Sequence, residues 1–98
     1  MIKHVVMWKL KSESENSTKE ENARQIRDKL CALYGVIPEI IEIEVGINEN
    51  GGNFDVILVS KFKSFEDLKA YDSHPEHQKV REFVRSVVES REAVDYTV

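Results

Sequence analysis

Cysteine is almost missing from this chain of 98 residues: Cys31 stands alone. No intrachain disulfide and no thiolate cluster for zinc can form, which fits a reducing compartment. Long apolar runs are missing too. Apolar runs such as Val5–Trp8 and Val56–Val59 are four residues long, against the roughly 18 residues of a membrane span. No membrane partner is expected. The start of the chain lacks a basic segment followed by an apolar stretch and a cleavage site, so export is not indicated and a cytoplasmic location is expected. An excess of basic charge is missing as well, with 14 Lys and Arg against 18 Asp and Glu. The formal net charge is −4, and no basic stripe emerges. Nucleic-acid binding draws most of its affinity from counterion release, so no nucleic-acid partner is expected. Also lacking are a Gly-rich phosphate loop, a serine nucleophile elbow and a spacing-defined Cys/His dyad.

What is present suits one small domain spanning residues 1–98, with 41% hydrophobic residues. A domain of this size buries roughly 60–70% of its unfolded surface. Any site is therefore small or shared with a second subunit. Residues 2–10 read as a strand, with Ile2, His4, Val6, Trp8 and Leu10 on one parity and Val5 and Met7 on the other. Ser12–Ser17 reads as a loop, and Ser17 with Glu20 or Thr18 with Glu21 offers a capping box. Ala23, Ile26, Leu30, Leu33 and Tyr34 then recur at helical spacing up to Gly35, a natural C-cap.

After Pro38, Ile41, Ile43, Val45 and Ile47 alternate with polar residues, as in a half-buried strand. Asn50-Gly51-Gly52-Asn53 supplies a hairpin turn, and Phe54–Phe62 returns as a strand with apolar residues on both faces. Ser64 opens a short helix carrying Phe65, Leu68 and Tyr71 on one stripe, and Pro75 breaks it and starts another. Val80, Phe83, Val84, Val87 and Val88 stripe that helix, and a strand closes the chain at about Ala93–Val98.

The order β-α-β-β-α-α-β predicts an α+β, ferredoxin-like fold with a four-stranded antiparallel sheet and helices on one face. Its central strands are the first and third, the two with apolar residues on both faces. Val5, Met7, Ile57 and Val59 would then be exposed in a monomer, which predicts a homodimer that covers them.

The candidate chemistry centres on histidine. His77 continues the apolar stripe of its helix toward the sheet, Tyr71 points inward from the preceding helix, and His4 lies on the helix side of the first strand. A neutral imidazole, with an ordinary pKa of about 6.5, accepts a proton near neutrality, and a phenol of about 10 donates to a developing enolate oxygen. Such a pair needs no metal and no cofactor. The competing reading makes Tyr71 and the histidines structural, with His74 capping the helix after the break. His74 and Trp8 join His4 as candidate pocket residues, although Trp8 also suits the core. A metal at His74, Glu76 and His77 stays open but is disfavoured by Pro75 between the histidines and by the lack of a spacing-defined third ligand.

His4-Val5-Val6-Met7-Trp8-Lys9-Leu10-Lys11, Phe62–Leu68, Tyr71–His77 with its His-Pro-x-His core, and Asp95-Tyr96-Thr97 together resemble the stress-responsive A/B barrel domain (Dabb) family along essentially the whole chain. The resemblance implies a dimeric α+β barrel. The family includes plant stress-induced proteins, bacterial proteins without an assigned activity, and plant polyketide cyclases that use a tyrosine and the second histidine of His-Pro-x-His without a cofactor. Those positions correspond to Tyr71 and His77, and a pocket histidine of the cyclases corresponds to His4. Two functions follow as expectations: binding of a small apolar, aromatic or carbonyl-containing metabolite without turnover, or a cofactor-independent cyclase or lyase.

Overall fold

A computed structural model describes residues 1–14 and 16–98. The first strand, β1 (Ile2–Leu10), buries Ile2, Val6, Trp8 and Leu10, as its alternation requires. A short polar hairpin follows, β2 (Glu13–Ser14) and β3 (Ser17–Thr18). A loop was expected at Ser12–Ser17; instead Glu13 pairs with Thr18 and Ser14 with Ser17. Glu15, inside that expected loop, lies outside the described residues. The Ser14 hydroxyl donates to the Ser86 carbonyl at 2.9 Å, so the hairpin is held by polar bonds that leave no hydrophobic signature.

Helix α1 (Lys19–Cys31) starts at Thr18, whose hydroxyl accepts the Glu21 N–H at 3.2 Å. It buries Ala23, Ile26 and Leu30. Gly35 is not its C-cap. The helix closes at Ala32, and the N–H groups of Leu33 and Tyr34 reach back three residues to Leu30 and Cys31, so Gly35 serves a following turn at φ 84°. β4 (Glu42–Ile47) and β5 (Val56–Phe62) form the expected hairpin, with Gly51 and Gly52 at positive φ.

Helices α2 (Phe65–Ser73) and α3 (Pro75–Val87) meet at His74. Leu68 and Tyr71 are buried, but Phe65, expected on their stripe, is 50% exposed because it occupies the first helical position, ahead of the packed turns. The last strand, β6 (Val88–Thr97), begins earlier than expected. Val88 is extended, not helical, and α3 passes into the strand without a loop. Its polar start, Ser90 to Glu92, pairs with β1 through backbone bonds that any side chain permits, and Glu89 falls at a shift in the register.

The strand order is β4-β5-β1-β6, every neighbour antiparallel, with β5 and β1 central. This is the ferredoxin-like α+β arrangement. The inner face of the sheet, including Val6, Trp8, Leu58 and Phe62, shares one core with α1, α2 and α3. On the outer face Val5 lies opposite both Val59 and Val94, and Met7 opposite Ile57. Ile57 is 38% exposed there. No helix of the described residues is long and apolar enough to cross a membrane.

Candidate functional site

The His74-Pro75 junction builds the site. Proline disfavours helical geometry at the residue before it, and His74 is extended at φ −63°, ψ 134°. There it ends α2, donating its N–H to the Tyr71 carbonyl at 3.1 Å, and caps α3, its Nδ1 accepting the Glu76 N–H at 3.1 Å. His74 is therefore a cap, as the competing reading had it, and the lining of the cavity described below does not include it. Its ring is held at the helix start by that bond.

The break brings His77, in the first turn of α3, onto the last turn of α2. Its ring lies on the Tyr71 ring, with centroids 4.3 Å apart. His77 Nδ1 is 2.9 Å from the Asp72 carbonyl oxygen. That carbonyl, at the end of α2, can only accept, so Nδ1 carries the proton and Nε2 keeps the lone pair in the neutral ring. Burial pushes the His77 pKa below its ordinary 6.5, more than the Asp72 carbonyl and carboxylate hold it up.

Tyr71 is 1% exposed and packs on Phe62, centroids 5.0 Å apart, and on His4 at 6.3 Å. Its hydroxyl is buried without a hydrogen-bond partner among the described residues. Burial raises its pKa well above the ordinary 10, with Asp72 adding to the rise, so it is a neutral donor at physiological pH. His4 enters from the inner face of β1 and its Nδ1 donates to the carboxylate of Asp95, directly opposite on β6.

His4, Trp8, Tyr71 and His77 line one cavity of about 360 Å³ between the sheet and the helices, together with apolar Val6, Leu58, Val80 and Val84. Arg81, Arg85 and Arg91 border it as well, and Arg81 pairs with Asp72 at 3.5 Å. These arginines have no place in the sequence reading, and Asp95 enters it only within the family-like segment Asp95-Tyr96-Thr97. Arg81 and Arg85 stand four and eight residues after His77, a helical spacing that carried the signal. Among the described residues no group of three His, Cys, Asp or Glu side chains is arranged to hold a metal ion.

The sequence profile of the stress responsive A/B barrel domain matches residues 2–98. The chain belongs to that family. Within it, the chain is 29% identical over 101 residues to the stress-response A/B barrel domain-containing protein DABB1 of Arabidopsis thaliana, covering 98% of this chain and 46% of the plant protein. This A/B barrel chain thus spans about half the length of the curated relative it matches. Its fold is similar to a dimeric ferredoxin-like protein of unknown function from Bacteroides fragilis, at TM-score 0.86 and 34% identity over 99% of this chain and 95% of that one. A hydroxynitrile lyase from Passiflora edulis superposes at TM-score 0.79 and 20% identity, covering 99% and 92% of the two chains. At that identity the likeness concerns the fold.

Proposed function

We propose that residues 1–98 act as a single domain that forms a homodimer in the cytoplasm and binds a small apolar or aromatic carbonyl compound in the cavity between sheet and helices. The observation that carries this reading is the Tyr71 hydroxyl, buried and, among the described residues, unpartnered, in a residue that lines a cavity of mixed apolar and polar side chains. Leaving a buried donor unsatisfied costs roughly 1–3 kcal/mol, which a ligand carbonyl accepting from it recovers. The volume of about 360 Å³ falls within the range of small-molecule sites. Homodimerisation is supported by the uncovered apolar outer face and by the dimeric state of the Bacteroides fragilis protein. A reducing compartment suits the free, exposed thiol of Cys31.

A panel of aromatic ketones screened by thermal shift tests the reading. A ligand at about 100 times its Kd stabilises the fold by ~2.7 kcal/mol, several degrees for a domain of this size. Tyr71→Phe should keep the fold and lose most of the shift for ketones. No shift with any member of the panel would sink the binding role.

Turnover is the second reading, favoured by the protonation of His77. With Nδ1–H on the Asp72 carbonyl, Nε2 is the basic nitrogen. It can take a proton from the carbon beside a bound carbonyl while the Tyr71 hydroxyl donates to the developing enolate oxygen. This is the chemistry of a cofactor-independent cyclase or lyase, and a hydroxynitrile lyase shares the fold. Exchange of the α-proton of a bound ketone for deuterium would report it. His77→Ala should slow exchange by about 10²–10⁴-fold; equal rates in the two proteins would leave binding alone.

A further inference from the structure

The cavity wall joins buried and exposed groups. Tyr71 is buried, whereas Arg85 and Arg91, which also line it, are exposed. The two arginines reach the rim from different elements. Arg85 follows His77 by eight residues along α3, and Arg91 lies opposite Trp8 in the β1–β6 register. Arg81 is engaged by Asp72. Among the described residues, neither Arg85 nor Arg91 has a carboxylate within ion-pair distance, although the Glu89 side chain also borders the cavity.

Three arginines against the carboxylates of Asp72 and Glu89 leave the wall with one excess positive charge, in a chain of net charge −4. A charge of one sign beside low-dielectric walls attracts a counter-ion, here a monoanion. Guanidinium groups match a carboxylate through paired N–H donors. Arg91 also acts over the distance to Tyr71, its positive charge opposing the rise that burial and Asp72 impose on the phenol. Because Tyr71, Arg85 and Arg91 line one cavity, one molecule can meet all three.

Resting on the ligand-binding reading above, we propose that the cavity selects compounds with a carboxylate at one end and a carbonyl-bearing apolar body at the other. Arg85 and Arg91 hold the carboxylate at the rim, and the body lies toward Tyr71. This defines a substrate class, keto or aryl-ketone carboxylic acids, and excludes the corresponding neutral amides and esters as good ligands.

The probe pair is 4-acetylbenzoate and the neutral 4-acetylbenzamide, titrated at low ionic strength and followed by NMR at the indole N–H of Trp8, the one tryptophan and a cavity residue. The benzoate should bind about tenfold more tightly, equivalent to ~1.4 kcal/mol. In an Arg85→Gln, Arg91→Gln double variant the preference should fall below about twofold, with amide affinity unchanged, whereas the double Lys variant should keep part of it. High salt should erode the preference in the wild type. Equal binding of the two probes, or a preference that survives in the Gln variant, would overturn the carboxylate assignment while leaving the cavity's binding role intact. A Trp8 signal unmoved by either probe would overturn both.

Discussion

Burial moves the pKa values of Tyr71 and His77 in opposite directions. Desolvation disfavours the charged form of each, so the phenol holds its proton and the imidazole stays unprotonated. The His77 shift has a measurable consequence. The unfolded imidazole binds a proton at about pH 6.5, and the native one only at lower pH. Between these values the unfolded chain binds more protons, so stability falls as pH drops through that window and is fully retained above it. His77→Gln should make the loss of stability between about pH 7 and pH 5 shallower, read from urea midpoints; an unchanged slope would refute the assignment. For the same reason, exchange catalysed by His77 should persist below pH 6.5 and fail only as its native pKa is crossed. Helical spacing and strand parity were enough to aim His4, Tyr71 and His77 at the same side of the sheet. They could not show that the Asp72 carbonyl would hold Nδ1, because that depends on where α2 ends.

At the scale of the elements, the break between α2 and α3 decides whether the site exists. A continuous helix through residue 75 would satisfy the carbonyls at the end of α2 internally and leave His77 without the Asp72 acceptor. Pro75 and the N-cap of His74 prevent this. His74→Ala should cost about 0.5–2 kcal/mol in chemical denaturation, as for other lost caps, and His74→Asn should restore most of it. Ser64→Ala should cost about 1 kcal/mol through loss of the 3.2 Å bond from the Asp67 N–H. The Pro75 restart and both serine or threonine caps were legible in the residues. The β2–β3 hairpin and the polar start of β6 were not, since backbone pairing, and no apolar pattern, holds them.

Across the whole molecule, the sheet has one face inside the core and the other without cover. Val5, Met7, Ile57, Val59, Val94 and Tyr96 share that outer face through direct cross-strand pairing with one another and with neighbours on the same register. Fully burying a side chain of this kind gains roughly 1.5–3 kcal/mol, and association costs about 4–15 kcal/mol. Even half that gain from six side chains on each subunit is of a size to offset the cost. Sedimentation equilibrium should therefore give twice the 11.3 kDa chain mass, and Ile57→Asp should shift the protein to monomer without unfolding it. A wild-type monomer at micromolar concentration would end the dimer proposal.

The order of apolar side chains by itself determined which face of each strand and helix is buried, because period two and period 3.6 are properties of the local backbone. It also determined that β1 and β5 lie at the centre, since only central strands need apolar residues on both faces. Tertiary structure alone decided that Asp95 meets His4 across the β1–β6 register and that Arg85 and Arg91 border one cavity. Those contacts join residues distant along the chain, and they depend on strand register and helix docking, which no local pattern contains.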